Sequence, residues 1–183
     1  MKIGTSGSNR TRFLVLLACM GMFATGERTQ AQAPAYTAPA ATLAQLMKGI
    51  LYPSANVFLS VQTGNPDDVP PAKDPSTAAN PLASTYGKWE AVENSSLAIA
   101  EAATLLTIPG RKCSNGLSVP IRDPNWPKLV QRLRDAGILG YRAAQSRNHG
   151  KVLEAADALN AACTTCHDKY RDKTSHAISC PAD

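Results

Sequence analysis

The feature that most constrains this chain is a five-residue pattern near its C-terminus. Residues 163–167 read Cys-Thr-Thr-Cys-His, the C-x-x-C-H arrangement through which a c-type haem is attached to protein. Residues three and four apart share one face of a helix, so both thiols and the imidazole can reach the same macrocycle. The pattern predicts thioether bonds from Cys163 and Cys166 to haem c, with His167 as proximal ligand of its iron.

Two other uses of these cysteines compete with haem attachment. The first is a redox dithiol, but such a pair is typically found in a βαβ pattern, which this sequence lacks. A thiol-redox protein therefore ranks third, behind an electron carrier and a gas-binding protein. A zinc site needs further Cys or His ligands, and only His176 and Cys180 follow the motif, in an unpatterned tail. Haem attachment is the preferred interpretation, provided that the chain is exported to the compartment where haem is attached.

The N-terminal sequence supports export. Basic residues precede an apolar run over residues 13–23, and Ala-Gln-Ala at 31–33 ends a stretch of small and polar residues. This pattern predicts a secretory signal peptide in residues 1–33, cleaved between about residues 26 and 33, and hence a periplasmic protein. The apolar run is too short to span a bilayer. Lipoprotein anchoring through Cys19 is less favoured, because the second position of its cleavage box is usually smaller than leucine.

The charge balance argues against a nucleic-acid-binding protein. The whole chain has 19 basic and 14 acidic residues, of which four basic and one acidic lie in residues 1–33. The mature chain therefore keeps 15 basic and 13 acidic residues, a net charge of +2. Two haem propionates would offset most of that charge, so no nucleic acid is expected as a partner. The remaining residues, 34–183, are enough for one domain with one core.

Apolar residues recur at helical spacing in four stretches, and no strand pattern or internal repeat stands out. The second stretch has the clearest inner stripe, which consists of Trp89, Val92, Ser96, Ile99, Ala103 and Leu106. Pro53 is expected to kink the first helix, and a Pro-rich connection occupies residues 63–84. The fold prediction is an all-α, antiparallel four-helix bundle. Its helices are expected at about residues 41–62, 85–106, 125–146 and 151–172.

The surroundings of the motif match a known family. After the motif the chain continues Asp-Lys-Tyr170-Arg171, and the motif lies on the last predicted helix of a bundle. In these respects it resembles the class II c-type cytochromes, namely cytochrome c-prime and its low-spin, methionine-ligated relatives, over about residues 41–172. The resemblance implies that Tyr170 packs in the haem pocket and that Arg171 lies near the proximal face. A solvated charge at the helix end is the alternative for Arg171.

The resemblance also implies a function. It implies a monohaem electron carrier that acts with redox partner proteins, and many family members are homodimers. No paired carboxylates, Ser/His/Asp set or phosphate loop indicates hydrolysis or group transfer, so an enzyme is not expected.

The open question is what occupies the sixth position on the iron. Met47 is the only methionine outside residues 1–33, and it lies on the inner face of the first predicted helix, where the methionine-ligated relatives carry their axial ligand. Met47 is therefore the predicted distal ligand. If it is only a core residue, the sixth site is vacant and a protein that binds nitric oxide or carbon monoxide is the alternative. His149 lies about 27 Å from His167 along the same helix, and Lys48 is expected to point about 100° away from Met47.

Two cysteines, Cys113 and Cys180, are left over once the signal segment and the haem motif are set aside. In an oxidising compartment such a pair is expected to form a disulfide. Two unpaired thiols are the alternative.

Overall fold

The computed structural model describes residues 38–171 and 180–181, all of which belong to one compact unit. Regular secondary structure in these ranges is helical, apart from an isolated bridge between Lys112 and Ser118. The predicted signal segment with Cys19, and His176 in the tail, lie outside the described residues. None of the helices in the described ranges is long and apolar enough to cross a membrane.

The first helical segment begins with a capping box. Thr42 Oγ1 accepts a hydrogen bond from the Gln45 N–H at 3.2 Å, and Gln45 Oε1 accepts one from the Thr42 N–H at 2.9 Å. The segment then runs through four consecutive elements, α1 (Leu43–Leu46), a π-helical turn (Met47–Leu51), α2 (Tyr52–Leu59) and a 3-10 turn (Ser60–Gln62). The predicted helix over 41–62 is confirmed, and so is its irregularity near residue 53.

The irregularity is a π-helical turn that lies directly before Pro53. Because proline has no N–H, the regular bond to the carbonyl four residues back is missing at this position. The preceding Tyr52 N–H donates to Met47 O, five residues back, which is the π-helical pattern. Ser54 Oγ adds a bond to the Ile50 carbonyl at 2.8 Å. The proline therefore widens one turn of the helix without breaking it.

The predicted Pro-rich connection is built from short 3-10 turns. Each turn starts at the proline of an Asn-Pro or Asp-Pro pair, and the turns are Pro66–Asp68, Pro75–Thr77 and Pro81–Ala83. The side-chain oxygens of Asn65, Asp74 and Asn80 accept hydrogen bonds from the N–H two residues on, at 3.0 to 3.1 Å. Leu82 is buried in the core. Pro66 is buried as well, so the connection is held by its own turns and by two apolar anchors.

Three longer helices complete the fold: α3 (Lys88–Leu105), α4 (Trp126–Gln145) and α5 (His149–Tyr170). Helix α3 packs against α2 and α4, and α4 also packs against α5. The predicted inner stripe of the second helix is buried throughout. Asn148 caps α5 by accepting from the Lys151 N–H at 3.1 Å. The helical content and the four helical segments predicted from the sequence are confirmed.

Two glycines on α4 allow the helices to approach closely. A Cβ on Gly137 would lie 2.8 Å from Ala100 N and 2.9 Å from Ser96 O on α3. A Cβ on Gly140 would lie 2.7 Å from the ring of Phe58, which is fully buried. The packing of α2, α3 and α4 therefore has no room for a side chain at these two positions.

The connection between α3 and α4, residues 106–125, ties the two ends of the fold together. The buried Arg111 side chain donates to Ala41 O at 2.6 Å, and Lys112 O accepts from the Leu43 N–H at 2.8 Å. Cys113 lies at disulfide-bonding distance from Cys180, with their Cα atoms 5.0 Å apart. The sequence prediction that these two cysteines lie together is confirmed.

Candidate cofactor-binding cleft

An apolar cleft of about 530 Å³ opens among the four helical segments. This volume is within the range typical of small-molecule and cofactor sites. All four segments contribute apolar side chains to its walls, among them Leu51, Leu59, Ile99, Leu129, Val130 and Leu159. Such walls favour a large, mainly apolar ligand.

The haem motif lies on the side of the cleft formed by α5. Cys163, Cys166 and His167 all line the cleft and are half-buried. Tyr170 and Arg171, one turn further on, line it as well. The structure therefore brings the five residues predicted from the motif to one cavity wall, as their spacing on a helix requires.

Burial affects the chemistry of the two thiols. Desolvation raises the pKa of Cys163, and it raises the pKa of Cys166 to about 11, with a further contribution from Cys163 itself. Cysteines that exchange disulfides have a lowered pKa, usually at the start of a helix. Cys163 and Cys166 differ from such cysteines, because both lie near the C-terminal end of α5 in a mainly apolar cleft and have a raised pKa.

His167 is held by a side chain one turn away. Arg171 Nη1 lies 2.9 Å from His167 Nδ1. A guanidinium has donors only, so Nδ1 faces a cation, and Nε2 is the ring nitrogen left to bind a metal. Arg171 is thus a cation in direct contact with the imidazole that the motif singles out.

Met47 reaches the same cleft from the first helical segment, where it starts the π-helical turn and is half-buried. The residues of this segment that line the cleft are four adjacent pairs spaced four positions apart, 43–44, 47–48, 51–52 and 55–56, followed by Leu59. Lys48, which was expected to point about 100° away from Met47, also lines the cleft and is exposed at its edge.

The rim of the cleft is cationic. Lys48 and Arg171 are exposed at its edge, and among the described lining residues there is no Asp or Glu. A ligand with an apolar body and anionic groups matches this distribution. The donor set of two thiols, an imidazole and a thioether, together with apolar walls and a cationic rim, fits haem with its two propionates.

Two residues near the C-terminus form a further part of the wall. Cys180 and Pro181 line the cleft, and the Cys180 N–H donates to Tyr170 O at 2.7 Å. Ser114 Oγ donates to Pro181 O at 2.9 Å. Sequence reasoning did not place these residues, or the polar Asn56 and Asn160, at the cleft. The only sequence signal for any of these positions was the predicted pairing of Cys180 with Cys113.

Three aromatic or imidazole residues lie away from the ligand space. Trp126 is buried behind Tyr170 in an edge-to-face contact, with ring centroids 4.9 Å apart, and its Nε1 donates to Leu106 O at 3.1 Å. Trp89 is a core residue, and His149 Nε2 lies 2.7 Å from Val61 O. None of the three lines the cleft.

No protein-family model, curated protein or solved structure matches this chain. The resemblance to class II c-type cytochromes therefore stays a prediction that rests on the haem motif and its position.

Proposed function

We propose that the protein is an exported, monohaem c-type cytochrome that carries single electrons. The observation that carries the proposal is the meeting of two elements at one cleft. Cys163, Cys166 and His167 line it from α5, and Met47 lines it from the first helical segment. The C-x-x-C-H motif thus lines a cavity of a volume typical of cofactor sites, and a second candidate iron ligand, Met47, lines the same cavity.

Each of these residues has a distinct role. Cys163 and Cys166 would hold haem through thioether bonds to its two vinyl groups, which would make the attachment permanent. His167 and Met47 would supply the protein ligands of its iron. When bound, haem supplies an iron that alternates between the ferrous and ferric states, so an electron enters or leaves without any bond to a substrate.

The rest of the cleft sets the environment of that iron. With an imidazole and a thioether as its protein ligands, the iron would favour the reduced state and have a raised reduction potential. The apolar walls, among them Leu51, Ile99 and Leu159, limit access of water. Lys48 and Arg171 at the rim offer positive charge to the propionates and to acidic groups on a redox partner.

The proposal includes the finer architecture and location. The haem lies on the C-terminal helix of an antiparallel four-helix bundle in the periplasm, as in the class II c-type cytochromes. The short link between α4 and α5, residues 146–148 with Arg147 at φ 48°, supports the antiparallel arrangement of that pair. Redox proteins are the expected partners, as for the class II c-type cytochromes, many of which are homodimers, and the protein is proposed as a carrier and not an enzyme.

One observation favours a second candidate, a gas-binding protein. Met47 lies in a π-helical turn, a local irregularity that often marks functional sites, and it is only half-buried. Apolar neighbours such as Leu43 and Leu51 could screen a vacant iron face. A small neutral gas such as nitric oxide or carbon monoxide would then bind where Met47 is displaced or absent.

Optical spectroscopy of the purified mature protein separates the two. The carrier predicts low-spin spectra in both oxidation states, a reversible one-electron titration and no change of the reduced spectrum on addition of carbon monoxide. A high-spin reduced spectrum that shifts with carbon monoxide would favour the gas-binding candidate. Absence of any haem band from periplasmic protein made with an active haem-attachment system would contradict both.

A further inference from the structure

Cys180 and Pro181 form a wall of the cleft although they lie beyond the end of α5. Both line the cavity beside Tyr170 and Arg171, and the Cys180 side chain is only 6% exposed. They therefore lie on the side of the cleft where His167 is held.

Among the described residues, three links besides the chain's own backbone hold this wall in place. One is the covalent link between Cys180 and Cys113, whose Cα atoms are 5.0 Å apart. The others are two hydrogen bonds, from the Cys180 N–H to Tyr170 O at 2.7 Å and from Ser114 Oγ to Pro181 O at 2.9 Å. Only the first is covalent, and only the first responds to redox conditions.

The anchor at the other end of the covalent link is firm. Cys113 is 2% exposed, its N–H donates to Leu117 O at 2.8 Å, and its carbonyl accepts from the Gly116 N–H at 3.0 Å. The helices also pack directly on one another, α3 against α2 and α4, and α4 against α5. Loss of the link should therefore free the wall while the helices stay packed.

We propose that the Cys113–Cys180 bond is a redox-sensitive strap that holds Cys180 and Pro181 as the wall of the cleft next to His167 and Arg171. A dithiol reductant opens the strap by thiol–disulfide exchange. The S–S bond breaks, two electrons and two protons end on Cys113 and Cys180 as thiols, and the reductant becomes a disulfide. The inference goes beyond the proposed function, and only its consequence for haem, a more solvent-accessible proximal side, rests on that function.

Hydrogen exchange of the purified mature holoprotein tests the strap. Exchange is followed by mass spectrometry over seconds to minutes, with and without a dithiol. Reduction is expected to speed exchange of the Cys180 amide at least tenfold and to speed that of Arg171, whose N–H donates to His167 O. Amides of α3 and α4 should stay protected in this time window.

Two variants serve as controls. The double variant Cys113→Ser with Cys180→Ser should exchange like the reduced protein and should not respond to the dithiol. Ser114→Ala removes a non-covalent link only, so it should speed exchange near residue 180 by less, and its response to the dithiol should persist. An unchanged Cys180 amide after reduction overturns the strap, and so does simultaneous loss of protection in α3 and α4.

The readout does not need haem. If the preparation contains no haem but the Cys180 amide responds, the proposed function fails and the strap stands. If haem is present and the amide does not respond, the strap fails and the proposed function stands.

Discussion

The guanidinium of Arg171 contacts His167, with 2.9 Å between Nη1 and the imidazole Nδ1. The two residues are four positions and about one turn apart at the end of α5, and both line the cleft. Arg171 thereby places a permanent positive charge beside the imidazole that the haem motif predicts as the iron ligand. The contact makes Arg171 a positioning residue for His167 and a source of electrostatic tuning.

Replacement of Arg171 should lower the reduction potential of the holoprotein. A nearby cation disfavours the ferric state, so Arg171→Leu is expected to lower the potential by tens of millivolts, on the order of the effect of one partly solvated charge. Arg171→Lys keeps the charge and should retain much of the potential. Potentiometric titration of both variants measures this, and equal potentials in all three proteins would contradict the tuning role.

Met47 should decide the state of the sixth position. Met47→Ala removes the thioether and is expected to give a high-spin or water-ligated ferric spectrum, to abolish the weak methionine–iron charge-transfer band, and to let carbon monoxide bind the reduced protein. Leu43→Ala, at another cleft-lining position one turn earlier on the same segment, is the matched control and should keep the band. A band that survives in Met47→Ala would rule out this residue as ligand.

Gly140 should not tolerate a side chain. Its Cβ would lie 2.7 Å from the Phe58 ring, so Gly140→Ala should cost about 1–3 kcal/mol from overpacking. The gain in helix propensity, about 1 kcal/mol, only partly offsets this cost. Gly64→Ala is the control, since nothing lies within 4 Å of its added Cβ, and it should change stability by less than about 0.5 kcal/mol. Urea unfolding curves of the two variants provide the comparison.

Tyr170 should make the fold sensitive to alkali. Burial, followed by the neighbouring Asp123 carboxylate, raises the pKa of Tyr170 above its ordinary value of about 10. The unfolded chain therefore loses this proton first, so the contribution to stability is present below about pH 10 and is lost as the pH rises through the folded value. Tyr170→Phe should lessen the fall in unfolding free energy between about pH 9 and 12. An identical fall in both proteins would refute this role.

Much of the fold could be predicted because it depends on local periodicity. The inner stripe from Trp89 to Leu106 is buried as expected, since a 3.6-residue period is a property of the sequence itself. Pro53 marked where the first helix becomes irregular, but not that a π-helical turn forms there, because the helical pattern assumes regular α-geometry. The three Asx-Pro turns in residues 63–84 were readable in principle from Asn65, Asp74 and Asn80.

The cleft was only partly predictable, for a different physical reason. The α5 wall follows from helical spacing within residues 163–171, so its members could be named in advance. The positions of Cys180 and Pro181 could not be named in advance. Pro181 is held by Ser114, which is distant in sequence, and Cys180 by the Tyr170 carbonyl, a contact that depends on how the chain folds back after α5. Lys48 also lines the cleft, at its exposed edge, which the helical pattern around Met47 did not indicate.

The central claim is that Cys163 and Cys166 hold haem covalently in this cleft, and acid–acetone extraction of the mature protein tests it most directly. The account predicts that haem stays with the polypeptide, and that mass spectrometry finds one haem on the peptide that contains residues 163–167. Cys163→Ala combined with Cys166→Ala should release haem completely, whereas Cys113→Ser combined with Cys180→Ser should retain it. Quantitative loss of haem from the unaltered protein into the solvent, or haem on any other peptide, would contradict the account.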